Sequence, residues 1–169
     1  GIGMSALARY FILKGKKVFG YDKSKSDLTK QLENEGVKLC HDDDLEFLTE
    51  NIKPIDKHSI LIIYTPAVSK QNNFLSFFIK NQFNVVKRSD VLAEITKDEF
   101  TIAVSGTHGK TTTATALTHI LKYSGFNVTA FLGGISNNYK TNLIYNKNPD
   151  FIIVEADEYD RSFLKLNPD

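Results

Sequence analysis

Between Thr101 and Gly125 the chain reads TIAVSGTHGKTTTATALTHILKYSG, and no other stretch constrains the fold so sharply. An apolar run with strand character enters a glycine-containing turn. The turn opens directly into a helical pattern from about Lys110 to Ser124, with Leu117, Ile120 and Leu121 inward and Gly125 at its end. Strand, glycine turn and helix in that order make half of a β-α-β unit, so the expected class is α/β with a parallel sheet.

The rest of the chain keeps that alternation. Strand-like runs lie at 17–22, 37–39, 59–68, 84–88, 127–132 and 151–158. Helical patterns fall between them at 74–80 and 89–95, in the short LEFL segment, and between a capping box at Ser24 and Asp27 and the stop at Gly36. Near-continuous apolar strands are the mark of a sheet covered on both faces. The polar TKDEF at 96–100 is the expected boundary between two α/β units, 1–96 and 97–169. The opening helix has Leu7, Tyr10, Phe11 and Lys14 at helical spacing and Gly15 placed to stop it. It starts from a glycine turn with no strand ahead of it, and the other end stops at LKLNPD, so the expectation is a fragment cut on both sides.

Composition narrows the partners. Of 169 residues 41% are hydrophobic and 24% charged, enough for a real core, and 21 basic against 20 acidic residues leave a formal charge of +1. With the two signs interspersed, neither nucleic acid nor an anionic membrane is an expected partner. The single cysteine, Cys40, excludes an internal disulfide. No apolar run reaches the ~20 residues that span a bilayer, and no secretory signal is visible, so a cytoplasmic protein is expected. Cys40 and His41 lack a second pair at zinc spacing, and Asp42 to Asp44 suit a helix N-terminus instead. His58 and His119 read as surface or core histidines.

The loop at 105–113 carries the strongest chemistry. A phosphate-binding loop asks for Gly-x-x-x-x-Gly-Lys-Ser/Thr, and here Val104 stands where the first glycine belongs. The context still fits: backbone N–H groups and a helix N-terminus converge where an anion would sit. Lys110 would then pair with the β and γ phosphates of ATP, and the Thr111 hydroxyl would ligate Mg²⁺. Glu155 ends an apolar strand at the sheet edge where such folds bind ligands, and its carboxylate suits a hard cation. Asp157, Glu158 and Asp160 read more simply as a solvated acidic turn.

Gly1 and Gly3 look like part of a Gly-x-Gly-x-x-Gly fingerprint, although position 6 is Ala, and Asp22 lies about twenty residues on as a ribose-binding acid. A dinucleotide or another nucleotide would fit. Thr65 and Pro66 form a turn after an apolar strand, either lining that nucleotide pocket or simply ending the strand.

SGTHGKTTT, followed about forty residues later by VEADEYDRSFLKLNP and preceded by GIGMS, resembles the Mur ligases of bacterial cell-wall synthesis. That family uses Gly-Thr-His/Asn-Gly-Lys in place of the full loop pattern, which accounts for Val104. The resemblance implies a Rossmann-like N-terminal domain, first strand missing, at 1–96. There Gly1, Gly3, Met4 and Ser5 would meet the diphosphate of a UDP-sugar, with Asp22 near the uridine and Thr65 and Pro66 beside it. It implies the N-terminal part of a central P-loop ATPase domain at 97–169. There Gly106, Thr107, His108, Gly109, Lys110, Thr111 and Thr112 would bind ATP, with Thr111 and Glu155 on Mg²⁺ and Lys110 catalytic. Gly133, Gly134 and Asn137 would face the muramoyl group or form a plain turn. The implied activity is ATP-dependent, ADP-forming addition of L-alanine to UDP-N-acetylmuramate through an acyl phosphate. His108 and RSFLKLNP lean toward that branch over the one adding a murein tripeptide, and the stretch given would not complete an active site alone.

Overall fold

The structure, a computed structural model, describes residues 1–42, 45–52, 55–69, 71–156, 166 and 168–169, with Thr49 described in its backbone only. Helix α1 (Ile2–Leu13) leads to β1 (Phe19–Tyr21), α2 (Asp27–Asn34), β2 (Lys38–Cys40) and α3 (Leu45–Asn51). A 3-10 turn (Lys57–Ser59), β3 (Leu61–Tyr64), α4 (Asn73–Lys80), β4 (Asn84–Lys87) and α5 (Arg88–Thr96) follow. Then come β5 (Thr101–Val104), α6 (Lys110–Tyr123), β6 (Val128–Phe131), β7 (Leu143–Ile144) and β8 (Phe151–Glu155).

The α/β class and its parallel pairing hold. β1 pairs with β2 and β3 with β4, both parallel, as two separate two-stranded sheets. No strand among the described residues joins β1 to β3, as expected of a Rossmann-like unit whose first strand is missing. The later strands form one sheet in the order β5-β8-β6-β7. All its pairs are parallel except β6 with β7, an antiparallel edge strand too short to be read from the sequence.

Burial explains why β8 reads as an unbroken apolar run. Ile152 and Val154 pack on the face covered by Ala6 and Leu7 of α1, while Ile153 faces Ala114 of α6. Their exposures of 3%, 0% and 0% place β8 at the centre, covered on both sides. A third cluster joins Leu48 of α3 and Ile52, just past its end, to Phe74 and Phe78 of α4. On α6 the inward face is Ala114, Leu117, Thr118 and Leu121, whereas Ile120, expected inward, is 59% exposed.

Local signals fix most helix ends. Gly15, Gly36 and Gly125 take left-handed φ of 74°, 100° and 91°, and each helix closes by paired bonds onto its last turn, such as Lys16 N–H to Phe11 O at 2.9 Å. α4 closes the same way through Gln82, held at φ 57° without the freedom of glycine. The α2 capping box lies two residues later than the sequence suggested. Ser26 Oγ accepts from Thr29 N–H and Thr29 Oγ1 accepts from Ser26 N–H. Ser24 is drawn away because its N–H closes a turn on Asp22 Oδ1 at 3.0 Å.

Candidate functional site

The turn between β5 and α6 has the geometry of an anion cradle. Gly106 and Gly109 adopt φ of 142° and 77°, and Gly109 is the N-cap of α6 in the left-handed region. The first backbone bond of the helix runs from Thr113 N–H to Gly109 O at 2.9 Å. The N–H groups of Lys110, Thr111 and Thr112 are therefore first-turn donors directed out of the helix. No side chain caps this end and no acidic residue stands in its first turn, so nothing built into the helix competes with an anion. Thr107 and His108 are exposed on the loop, and Lys110 Nζ donates to Gly106 O at 2.7 Å.

Glu155 lies across this loop, at the C-terminal end of the central strand. Thr111 Oγ1 donates to Glu155 Oε2 at 2.9 Å, joining residues 44 apart in sequence. Gly133 N–H donates to Oε1 at 2.5 Å. A hydroxyl and a carboxylate beside a phosphate loop are hard oxygen donors, which fit Mg²⁺. Among the described residues no group of three or more His, Cys, Asp or Glu side chains gathers to enclose a metal. Mg²⁺ commonly keeps several waters and binds through one or two carboxylates plus substrate phosphates, a pattern that this hydroxyl and carboxylate suit. Asp157, Glu158 and Asp160 lie outside the described residues. Of the glycine pair, Gly133 meets Glu155, whereas Asn137 is exposed on the turn that follows.

A second constellation forms at the N-terminus of α1. Asp22 follows β1 directly; Gly1 N lies 2.8 Å from its Oδ2, and Ser24 N–H donates to its Oδ1 at 3.0 Å. Thr65 and Pro66 follow Tyr64, the register partner of Lys87, which places them at the same end of the β3-β4 sheet as Arg88. Ser5 is turned inward, and Met4 is half-buried. Both N–H groups bond to Gly1 O, at 3.1 and 3.2 Å, which leaves Ile2 and Gly3 as the outward donors. Ser5 is 2% exposed, and its hydroxyl donates to Ile2 O at 2.7 Å.

Two features here escaped the sequence. Arg88, the first residue of α5, lies directly over Gly3: a Cβ there would come 2.1 Å from Arg88 Nη1. The close of a strand followed by an arginine was a visible signal, but nothing local tied it to Gly3. Asn142 is fully buried; its side-chain amide donates to Ile2 O and Ser5 Oγ, and its carbonyl accepts from Arg9 Nη1. Arg9, 6% exposed, also holds both oxygens of Glu35 at 2.8 and 2.9 Å. No helix among the described residues is long and apolar enough to cross a membrane.

Comparison with known proteins identifies relatives of the chain. A UDP-N-acetylmuramate–L-alanine ligase of Parabacteroides distasonis is 49% identical over 168 residues, covering 99% of this chain and 36% of that protein. One from Porphyromonas gingivalis is 51% identical over 169 residues, covering 99% and 36%. The chain thus spans about a third of the length of these curated relatives. The crystal structure of a UDP-N-acetylmuramate–alanine ligase of Thermotoga maritima superposes with a TM-score of 0.85 at 28% identity, covering 99% of this chain and 37% of that one. The profile of the Mur ligase family, catalytic domain, matches residues 1–100, more than half of the 169, and the chain belongs to that family.

Proposed function

We propose that this chain carries the UDP-sugar site and the phosphate loop of an ADP-forming ligase that joins L-alanine to UDP-N-acetylmuramate. In this reading residues 1–96 hold the UDP-sugar, and residues 97–169 begin the ATP-binding unit. The observation that carries it is the Thr111–Glu155 contact of 2.9 Å beside Lys110 and the first turn of α6, one hydroxyl and one carboxylate against a phosphate cradle. The names of the two curated relatives supply the substrate pair. At the other site the outward N–H groups of Ile2 and Gly3, with the Arg88 guanidinium over Gly3, suit a diphosphate.

The residues match what the reaction demands. A carboxylate is a poor electrophile, so the γ-phosphoryl group passes from ATP to the lactoyl carboxylate, breaking the β–γ P–O bond and releasing ADP. The L-alanine amine attacks the acyl carbon, loses a proton, and phosphate departs with the C–O electron pair. In the first step anion approaches anion. Lys110 and the N–H groups of Lys110, Thr111 and Thr112 spread the charge of the transferring group. Bound through Thr111, Glu155 and phosphate oxygens, Mg²⁺ would neutralise the β and γ phosphates. Asp22, Thr65 and Pro66 belong to the UDP-sugar side of this reading, and Gly106, Thr107, His108 and Gly109 to the loop backbone.

Calorimetric titration of the chain with UDP-N-acetylmuramate and with MgATP tests the two sites. In the full-length protein, phosphate release dependent on L-alanine, and weaker with the L-Ala-D-Glu-diaminopimelate tripeptide, is the expected result. Preference for the tripeptide, or tight NADH binding in place of the UDP-sugar, would overturn the assignment.

A further inference from the structure

Gly133 and Gly134 follow β6 and reach the phosphate loop from the opposite side to β5. Gly133 N–H donates to Glu155 Oε1 at 2.5 Å while Thr111 Oγ1 donates to Oε2 at 2.9 Å, so each carboxylate oxygen is held by a different element. Neither glycine has a left-handed φ, so backbone freedom does not explain glycine here. Space does. A Cβ at Gly133 would lie 2.6 Å from Glu155 Oε2 and 3.1 Å from its Cδ, and one at Gly134 would lie 3.3 Å from Thr111 Cγ2. The two glycines therefore press on the two side chains that supply the hard oxygens, one on each.

We propose that Gly133 and Gly134 are positioning residues of the cation site. Gly133 fixes the Glu155 carboxylate with its N–H and its missing side chain, and Gly134 seats the Thr111 methyl. The inference rests on the reading of Thr111 and Glu155 as the cation's ligands. Its physical basis is that outer partners of a ligating carboxylate set its orientation and so its affinity for the metal. A hydroxyl that donates its proton to the carboxylate also keeps its lone pairs for a cation. The Gly-Gly pair thus serves the ATP side of the site.

The test uses Mn²⁺ as a spectroscopic substitute for Mg²⁺, titrated into the chain with ATP and read by electron paramagnetic resonance. UDP-N-acetylmuramate binding is measured in parallel. Gly133→Ala is expected to weaken Mn²⁺ about ten- to hundredfold, and Gly134→Ala by less, with UDP-sugar affinity unchanged. If Glu155→Gln loses Mn²⁺ affinity and Gly133→Ala does not, the positioning role is overturned while the ligand reading stands. If Glu155→Gln retains full affinity, the ligand reading falls and takes the inference with it. A second measurement needs no change at Gly133: its amide proton resonance, shifted downfield by the carboxylate, should move upfield in Glu155→Gln. A resonance that stays in place overturns the proposal even if Gly133→Ala does not fold.

Discussion

Asn142 reaches across 140 residues of sequence to donate its side-chain amide to the Ile2 carbonyl at 2.7 Å. The same side chain meets Ser5 Oγ at 3.0 Å and accepts from Arg9, so a single fully buried amide holds the first turns of α1 against β7. We predict that Asn142→Ala destabilises the chain by about 2–3 kcal/mol, because it leaves the buried Ser5 hydroxyl oxygen without its donor and the charged Arg9 short of an acceptor. For a chain of this size that is roughly a 5–10 °C fall in melting temperature, measured by calorimetry or urea unfolding. A loss within experimental error would mean that water replaces the amide.

Gly3→Ala should separate folding from binding. The added methyl would sit 2.1 Å from Arg88 Nη1, the far end of a flexible side chain, so the guanidinium can swing aside. The melting temperature should hardly change, whereas UDP-N-acetylmuramate binding should weaken about tenfold, or 1.4 kcal/mol, as the cation leaves the turn. Titration calorimetry reads both sites on one sample, and MgATP binding serves as the control.

Removing the loop cation should abolish chemistry while leaving the sugar site intact. In the full-length protein Lys110→Ala is expected to lower alanine-dependent phosphate release by a hundredfold or more, on the order of the loss when one transition-state donor is removed. UDP-N-acetylmuramate affinity should stay within about twofold. Near-normal turnover would remove Lys110 from the mechanism.

Glu155→Gln keeps the shape of the side chain and deletes its charge. The Mg²⁺ concentration for half-maximal turnover should rise by at least about tenfold, since a hard divalent cation loses its one protein carboxylate among the described residues. An unchanged Mg²⁺ profile would show that the ion is held elsewhere.

Gln82 gives a prediction independent of function. It holds φ 57° where the other helix ends of this type have glycine, a strain of about 1 kcal/mol for a residue with a Cβ. Gln82→Gly should therefore stabilise the chain by up to about 1 kcal/mol, a rise of roughly 2–4 °C in melting temperature, without effect on either ligand.

What the sequence disclosed was local. The β5-turn-α6 unit was legible because strand, glycine turn and helix follow one another within Thr101 to Gly125, and the stops at Gly15, Gly36 and Gly125 because each carries its own left-handed turn. The capping residue of α2 was misplaced by two positions because Ser24 and Ser26 carry the same side chain and differ in what Asp22 does to Ser24. Arg9 stayed hidden among the apolar positions of α1 since the groups that make its burial tolerable, Glu35 and Asn142, lie 26 and 133 residues away. Gly133 likewise stood open between the muramoyl group and a plain turn, because its partner Glu155 lies 22 residues on. β7, two residues long, offers no alternation to read.

The bond from Lys110 Nζ to the Gly106 carbonyl, 2.7 Å long, uses one of the three N–H donors of the ammonium. It folds a long, flexible side chain back over the turn, so the rotamer entropy of ordering that cation is already spent in the folded chain. An anion arriving at the first turn of α6 would meet a charge that is held in place beforehand.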